Sequence, residues 1–237
     1  MDLKIYKDKQ EVAEQFAAYF ADKVGLGESF HVALSGGSTP KIVFDVLAKN
    51  FSDKVDWTKV HFYWGDERCV PPTDDESNYK MTVEHLFSKI EVPKENINRI
   101  LGEKEPNGEA MRYANLLEID LDRVEDIPQF DLVILGMGDD GHTASIFPHE
   151  IDLWCSDDHC VVATHPESGQ KRVSINGKVI NAAKEVAFLV TGQSKAEKVK
   201  AVVEKTNGFE AYPASLVKPK SGNLVWFLDE EAASELG

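Results

Sequence analysis

Apolar positions along this chain follow two periods that alternate with one another. Residues 9–24 place Val12, Phe16, Ala17, Phe20 and Val24 at three- and four-residue spacing, which predicts an amphipathic helix. Phe30 to Leu34 is a short continuous apolar run and predicts a buried strand. Thr39-Pro40 reads as a helix start, with Thr39 as cap and Pro40 at the first helical position, running to about Lys49 with Val43, Val46 and Leu47 inward. The same reasoning predicts strands at Val60–Trp64, Asp131–Leu135, Cys160–Thr164, Arg172–Ile175, Val186–Val190 and Leu224–Leu228. It predicts helices from Ser77, over 109–124, over Gln193–Glu204, and a short one at Thr143–Phe147. Strands alternating with helices imply an α/β fold of Rossmann-like type, a largely parallel sheet with helices on both faces. Residues 1–237 read as a single domain, within which 148–185 could form a small irregular subdomain.

Two glycine-rich loops stand at the ends of predicted strands, where open α/β sheets bind ligands. The first, Ser35-Gly-Gly-Ser-Thr39, leads into a helix. Gly36 and Gly37 let backbone approach a ligand, the helix start offers free N–H groups, and Ser35, Ser38 and Thr39 add hydroxyls, a set suited to a phosphate monoester. The loop lacks the Lys of a nucleotide-binding P-loop. The second loop, Gly136-Met-Gly-Asp-Asp-Gly-His142, matches the dinucleotide pattern G-x-G-x-x-G. Asp139 and Asp140 would sit where a pyrophosphate docks and repel it. The acids and His142 read instead as a catalytic loop: a carboxylate fixes the imidazole tautomer, and His142 serves as general base. The positive end of the predicted 143–147 helix would favour a neutral ring.

Charge sharpens this picture. The chain has 237 residues, 42% of them hydrophobic, so it can bury a sizeable core; its formal charge of −15 opposes binding to nucleic acid or anionic membrane. An anionic substrate therefore needs a local cluster of Arg or Lys. No run of 18 apolar residues exists, and Met1–Tyr6 has no apolar signal core. Cys69, Cys155 and Cys160 form no disulfide framework, which suits a reducing, cytoplasmic setting. His31, His61 and His85 fall on predicted strands or helices and read as structural. Cys155, Cys160, His149, His159 and His165 have no zinc spacing, so no metal is expected. Asp74–Glu76 and Asp229–Glu231 read as solvated helix ends. A monomer is expected.

Together, Ser35-Gly-Gly-Ser-Thr-Pro40, Trp64-Gly-Asp-Glu-Arg-Cys-Val-Pro71, Ser77-Asn-Tyr79 and Gly136-Met-Gly-Asp-Asp-Gly-His-Thr-Ala-Ser-Ile-Phe-Pro148 resemble the 6-phosphogluconolactonase family. Arg172-Val-Ser174, Thr191-Gly-Gln-Ser-Lys-Ala196, Pro213-Ala-Ser215 and Trp226-Phe-Leu-Asp229 continue the resemblance to the C-terminus. The resemblance implies hydrolysis of 6-phospho-D-glucono-1,5-lactone to 6-phosphogluconate, a step of the oxidative pentose phosphate pathway, with no metal and no organic cofactor. It implies His142 as general base, phosphate binding by the Ser35–Thr39 loop, Arg172 and Lys195, and Arg68 lining the site. It also implies a fold shared with glucosamine-6-phosphate deaminases. Their chemistry uses an acid a few residues after the loop histidine, whereas Ala144–Pro148 carries none. The chain departs from the family pattern at His165-Pro-Glu-Ser-Gly-Gln170 and at Ser174-Ile-Asn-Gly177.

Overall fold

The continuous apolar runs become the middle of one sheet. A computed structural model of the chain describes residues 1–206 and 208–237. Its strands, in chain order, are β1 (Asp2–Tyr6), β2 (Phe30–Leu34), β3 (Val60–Trp64), β4 (Asp66–Arg68), β5 (Arg123–Val124), β6 (Ile127–Pro128), β7 (Leu132–Leu135), β8 (Cys160–Thr164), β9 (Lys171–Ile175), β10 (Val186–Val190) and β11 (Leu224–Asp229). The α-helices are α1 (Lys9–Val24), α2 (Ser38–Asn50), α3 (Asn78–Thr82), α4 (Pro106–Asp120), α5 (Gly177–Ala182) and α6 (Ala196–Glu204). Six strands form a parallel sheet ordered β1-β11-β10-β7-β2-β3, flanked by helices. Every residue of β7 and β10 is buried, as expected of central parallel strands covered on both faces. The helical stripe of α1, from Val12 to Val24, is buried, and α1 packs against α2 and β11.

Chain order fixes where a ligand can enter. From β2 the chain steps outward to β3, then returns to lay β7 on the other side of β2. The crevice between β2 and β7 is thus the topological switch point, and both glycine-rich loops leave the carboxyl ends of these two strands. A second, antiparallel sheet, ordered β4-β9-β8, stands beside them. Gly65 joins the two sheets: its N–H donates to Leu34 O and its carbonyl accepts from Ile175 N, both at 2.8 Å. Residues 148–185 supply β8, β9, α5 and a 3₁₀ segment at Pro148–Cys155, with β4, from much earlier in the chain, pairing along β9. Among the described residues, no helix is long and apolar enough to cross a membrane.

Several sequence expectations are corrected. Residues 143–147 are not helical. Thr143 and Ile146 bridge across a tight turn in which Ala144 has φ +46°. No helix dipole therefore acts on His142. Helix α2 starts at Ser38 with Gly37 as its cap at φ +111°, so Thr39 is not the cap and Pro40 is the third helical residue. The helix placed at 109–124 runs Pro106–Asp120, because Glu105 caps it through the N–H groups of Asn107 and Gly108. The 193–204 helix begins with a 3₁₀ turn at Gln193–Lys195. Strand β1 was not anticipated, although Leu3 and Ile5 alternate with polar neighbours; it is a half-exposed edge strand. Asp229 is no solvated helix end: it is buried and accepts the N–H groups of Gly192 and Ala232.

Candidate active site

A cleft of about 170 Å³ opens at the switch point, lined by residues of two loops, of the second sheet and of the start of α3. Ser35, Gly36 and Gly37 come from the loop after β2, and Gly136, Met137, Gly138, His142 and Ala144 from the loop after β7. Asp66, Arg68 and Arg172 come from β4 and β9, and Asn78 from the start of α3.

The histidine loop is stitched to itself. Gly138 N donates to His142 O at 2.9 Å, Gly141 N to Gly138 O at 3.0 Å, and Thr143 Oγ1 to Gly136 O at 2.8 Å. Both inner glycines are required. A Cβ on Gly138 would fall 2.1 Å from His142 Nδ1, and Gly141 has φ +82° with the Tyr212 ring 2.7 Å from where its Cβ would be. His142 Nδ1 lies 2.6 Å from Asp140 Oδ1, which also accepts the His142 main-chain N–H at 3.0 Å. Burial raises the Asp140 pKa, but the bonds from His142 outweigh it and bring it down to about 2. An ionised carboxylate only accepts, so Nδ1 carries the proton and Nε2 presents its lone pair. Of the two acids, Asp140 holds the ring. Asp139 faces away and pairs with Lys195 Nζ at 2.6 Å.

The opposite wall carries positive charge in an unusual register. Arg68 on β4 and Arg172 on β9 are direct cross-strand partners. Like charges so placed repel. The Nε of each is buried and has no protein partner among the described residues. Arg68 Nη1 donates to Glu76 O, and Arg172 lies over the Phe147 ring, 5.6 Å from its centre. Burial lowers the Arg172 pKa, with Asp66 opposing and Arg68 adding to the effect. Two guanidiniums facing one cleft, each with its Nε unpaired among the described residues, form a local positive cluster in a protein of charge −15. The departure at residues 165–170 lies in the β8–β9 turn and leaves Arg172 in the cleft.

The structure thus brings together His142, Ser35, Gly36, Gly37, Arg68 and Arg172, with Asp140 directly behind the histidine. Ser38 lines an adjoining hollow of about 280 Å³ that shares Gly37, Arg68 and Asn78 with the cleft. Thr39 is buried, its hydroxyl 2.8 Å from that of Thr191, and Lys195 stands outside the cleft's lining. Asp66 and Asn78 line the cleft but were not singled out as site residues in the sequence. The signal for Asp66 is an acid one glycine beyond the end of an apolar strand; it is buried and accepts from Ser145 Oγ at 2.5 Å. Glu67, beside it, is buried and accepts from the N–H groups of Arg68, Asn78 and Tyr79 and from Ser77 Oγ. Burial pushes its carboxyl above the ordinary value while those N–H donors pull the other way. Among the described residues, no cluster of three or more His, Cys, Asp or Glu side chains could hold a metal ion.

A parallel α/β sheet, with a histidine loop and paired arginines meeting in a cleft at its switch point, defines a Rossmann-like protein. Residues 7–226 match the family of glucosamine-6-phosphate isomerases and 6-phosphogluconolactonases, and the chain belongs to that family. A relative named 6-phosphogluconolactonase, from Haemophilus influenzae, is 44% identical over 225 residues, covering 94% of this chain and 92% of its own. The crystal structure of the devB protein superposes with a TM-score of 0.95 at 43% identity, covering 100% of this chain and 99% of the other. The 6-phosphogluconolactonase from Trypanosoma brucei superposes with a TM-score of 0.86 at 26% identity, covering 100% and 98%.

Proposed function

We propose that this chain hydrolyses 6-phospho-D-glucono-1,5-lactone to 6-phosphogluconate. The observation that carries the reading is the His142–Asp140 pair at 2.6 Å, its open Nε2 set in the same cleft as two partly unsatisfied arginines. His142 Nε2 takes a proton from a water, whose oxygen bonds to the lactone carbonyl carbon. Asp140 steadies the imidazolium. The tetrahedral oxyanion takes hydrogen bonds from N–H groups of the glycine-rich loops or from Arg68. The bond from carbon to ring oxygen then breaks, the imidazolium returns its proton to that oxygen, and the acid product ionises.

The 6-phosphate sits against Arg172 and the Ser35–Thr39 loop at the start of α2. Lys195 joins them by exchanging Asp139 for the phosphate; the Thr39–Thr191 contact keeps its turn beside the loop. Binding energy gathered at the phosphate orients the carbonyl for attack. The rival reading, ring opening and deamination of an amino-sugar phosphate, finds no carboxylate in 144–148. The next acid, Glu150, is engaged with the Thr164 N–H at 2.8 Å.

The test is a rapid assay on freshly generated lactone, following acid release against the uncatalysed rate, with ammonia release from glucosamine-6-phosphate measured in parallel. Lactone hydrolysis above background without ammonia is the expected result. Ammonia release, or no acceleration of the lactone, overturns the reading.

A further inference from the structure

Asn78 occupies a position that no step above uses. It opens α3, where Ser77 caps the helix, and it is 3% exposed. Its main-chain N–H is fixed on Glu67 Oε1 at 2.8 Å, and its Nδ2 donates to the main-chain carbonyl of Asp66 at 2.9 Å. A carbonyl can only accept, so that bond settles which end of the amide is nitrogen. Oδ1 is thereby turned the other way, over Gly36: a Cβ there would lie 1.9 Å from it. The glycine is what lets the amide reach into the cleft. Among the described residues, Oδ1 has no hydrogen-bond donor, although the side chain is almost wholly enclosed.

That oxygen is an open acceptor in the cleft lining, where a ligand's O–H can pair with it. The rest of the cleft is rich in donors: two guanidiniums and the N–H groups of two glycine-rich loops. Asp66, another acceptor in the lining, already binds Ser145 through Oδ2. We propose that Asn78 Oδ1 accepts a hydrogen bond from one ring hydroxyl of the sugar lactone, making Asn78 a specificity-determining residue. This rests on the function proposed above. Glu67 is its positioning residue, because one carboxylate gathers the N–H groups of residues 68, 78 and 79 and so fixes the amide relative to Arg68.

The lactone carries ring hydroxyls at C2, C3 and C4, so the test compares the parent 6-phosphorylated lactone with its 2-, 3- and 4-deoxy analogues. For Asn78→Ala the parent should lose about 3- to 10-fold in kcat/KM, mostly through KM, because the bond is made in ground and transition states alike. One of the three deoxy lactones should be hydrolysed equally by wild type and variant, since it never makes the bond. A loss of the same size on every lactone, or none on the parent, overturns the assignment. If Asn78→Ala does not fold, Asn78→Ser, a small polar side chain that lacks an acceptor at the Oδ1 position, takes its place with the same expectation: one deoxy lactone is hydrolysed equally by wild type and variant, and a loss of the same size on every lactone overturns the proposal. Wild-type turnover of the parent is the control. Its absence removes the proposed function and Asn78's role with it, whereas its presence beside an even loss removes only the role of Asn78.

Discussion

The loop after β7 and the strand pair β4–β9 face one another across the same cleft, yet their polar atoms are engaged very differently. In the loop, the N–H groups of Gly138, Gly141 and His142 have partners, two glycines seat the ring, and Asp140 fixes the tautomer of His142. The geometry is complete before any ligand arrives, as proton transfer to a positioned base requires. On the strand pair, Arg68 and Arg172 oppose each other as like charges and keep buried Nε atoms unpaired. In the proposed function an anion between the guanidiniums and the loop of α2 relieves that wall. On that reading the chemical wall is preorganised within the protein and the binding wall is completed by the substrate.

The largest effect should come from breaking the finished wall. His142→Asn should lower kcat by about 10²–10⁴-fold with the fold retained, the usual contribution of general acid–base catalysis. Near-normal turnover in a folded variant would make the histidine structural. Asp140→Asn comes next. An amide can offer its NH₂ to Nδ1 and move the ring proton to Nε2, so kcat should drop on the order of 10²-fold with little change in KM. The pH dependence of stability gives a second reading. The Asp140 pKa, about 2 in the fold against an ordinary 3.8, is depressed, so its contribution is present above about pH 4 and is lost as pH falls toward 2. Wild type and Asp140→Asn should therefore converge in denaturant midpoint below pH 4. A constant difference across that range would show that the Asp140 carboxylate does not hold the imidazole.

Breaking the open wall should cost less, and should cost it selectively. Arg172→Ala should reduce kcat/KM on the phosphorylated lactone by about 10- to 150-fold, the worth of a charge-assisted hydrogen bond, and scarcely alter the slow turnover of the unphosphorylated lactone. Equal losses on both would place Arg172 in folding or in the chemical step. Arg68 separates two roles. As a phosphate ligand it should act through KM and spare the unphosphorylated lactone; as an oxyanion donor it should lower kcat on both. Lys195→Ala should fall below Arg172→Ala, since its Asp139 ion pair must first be given up.

How far the sequence revealed this comparison depends on range. The finished wall was legible because it is local. Gly138, Asp140 and His142 lie within five residues, and a strand ending in glycines with an acid two places before a histidine carries its own geometry. What failed there was also local: Ala144 takes a positive φ and turns residues 143–146 back on themselves, so the expected helix never forms. The open wall was not legible as a wall. Arg68 and Arg172 are far apart in sequence, and only the β4–β9 register sets them side by side. Strand β4 is three residues long, Asp-Glu-Arg, with no apolar alternation to betray it. The parallel strands β2, β3, β7, β10 and β11 were read correctly because burial on both faces leaves continuous apolar runs. Edge strand β1, half solvated, left a weaker trace.

The smallest expected effect tests the comparison most directly, because it runs against the usual sign. Replacing a buried residue normally destabilises a protein. Arg172, however, is held where burial, the largest influence, and Arg68 disfavour its charge, against Asp66, Glu76 and Glu67. A guanidinium does not deprotonate in proteins, so this cost is present at every accessible pH. Arg172→Met removes the repulsion and keeps an apolar, polarisable side chain against Phe147. Without ligand, the variant should be as stable as wild type or more so, by about 0.2–1 kcal/mol for relieving one cross-strand like-charge pair. Inorganic phosphate should reverse the order. It should raise the melting temperature of wild type progressively with the logarithm of phosphate concentration above Kd and leave that of Arg172→Met nearly unmoved. A variant more than about 1 kcal/mol less stable without phosphate would mean that Arg172 ties the two sheets together. The second wall would then be finished like the first, and the contrast between them would disappear.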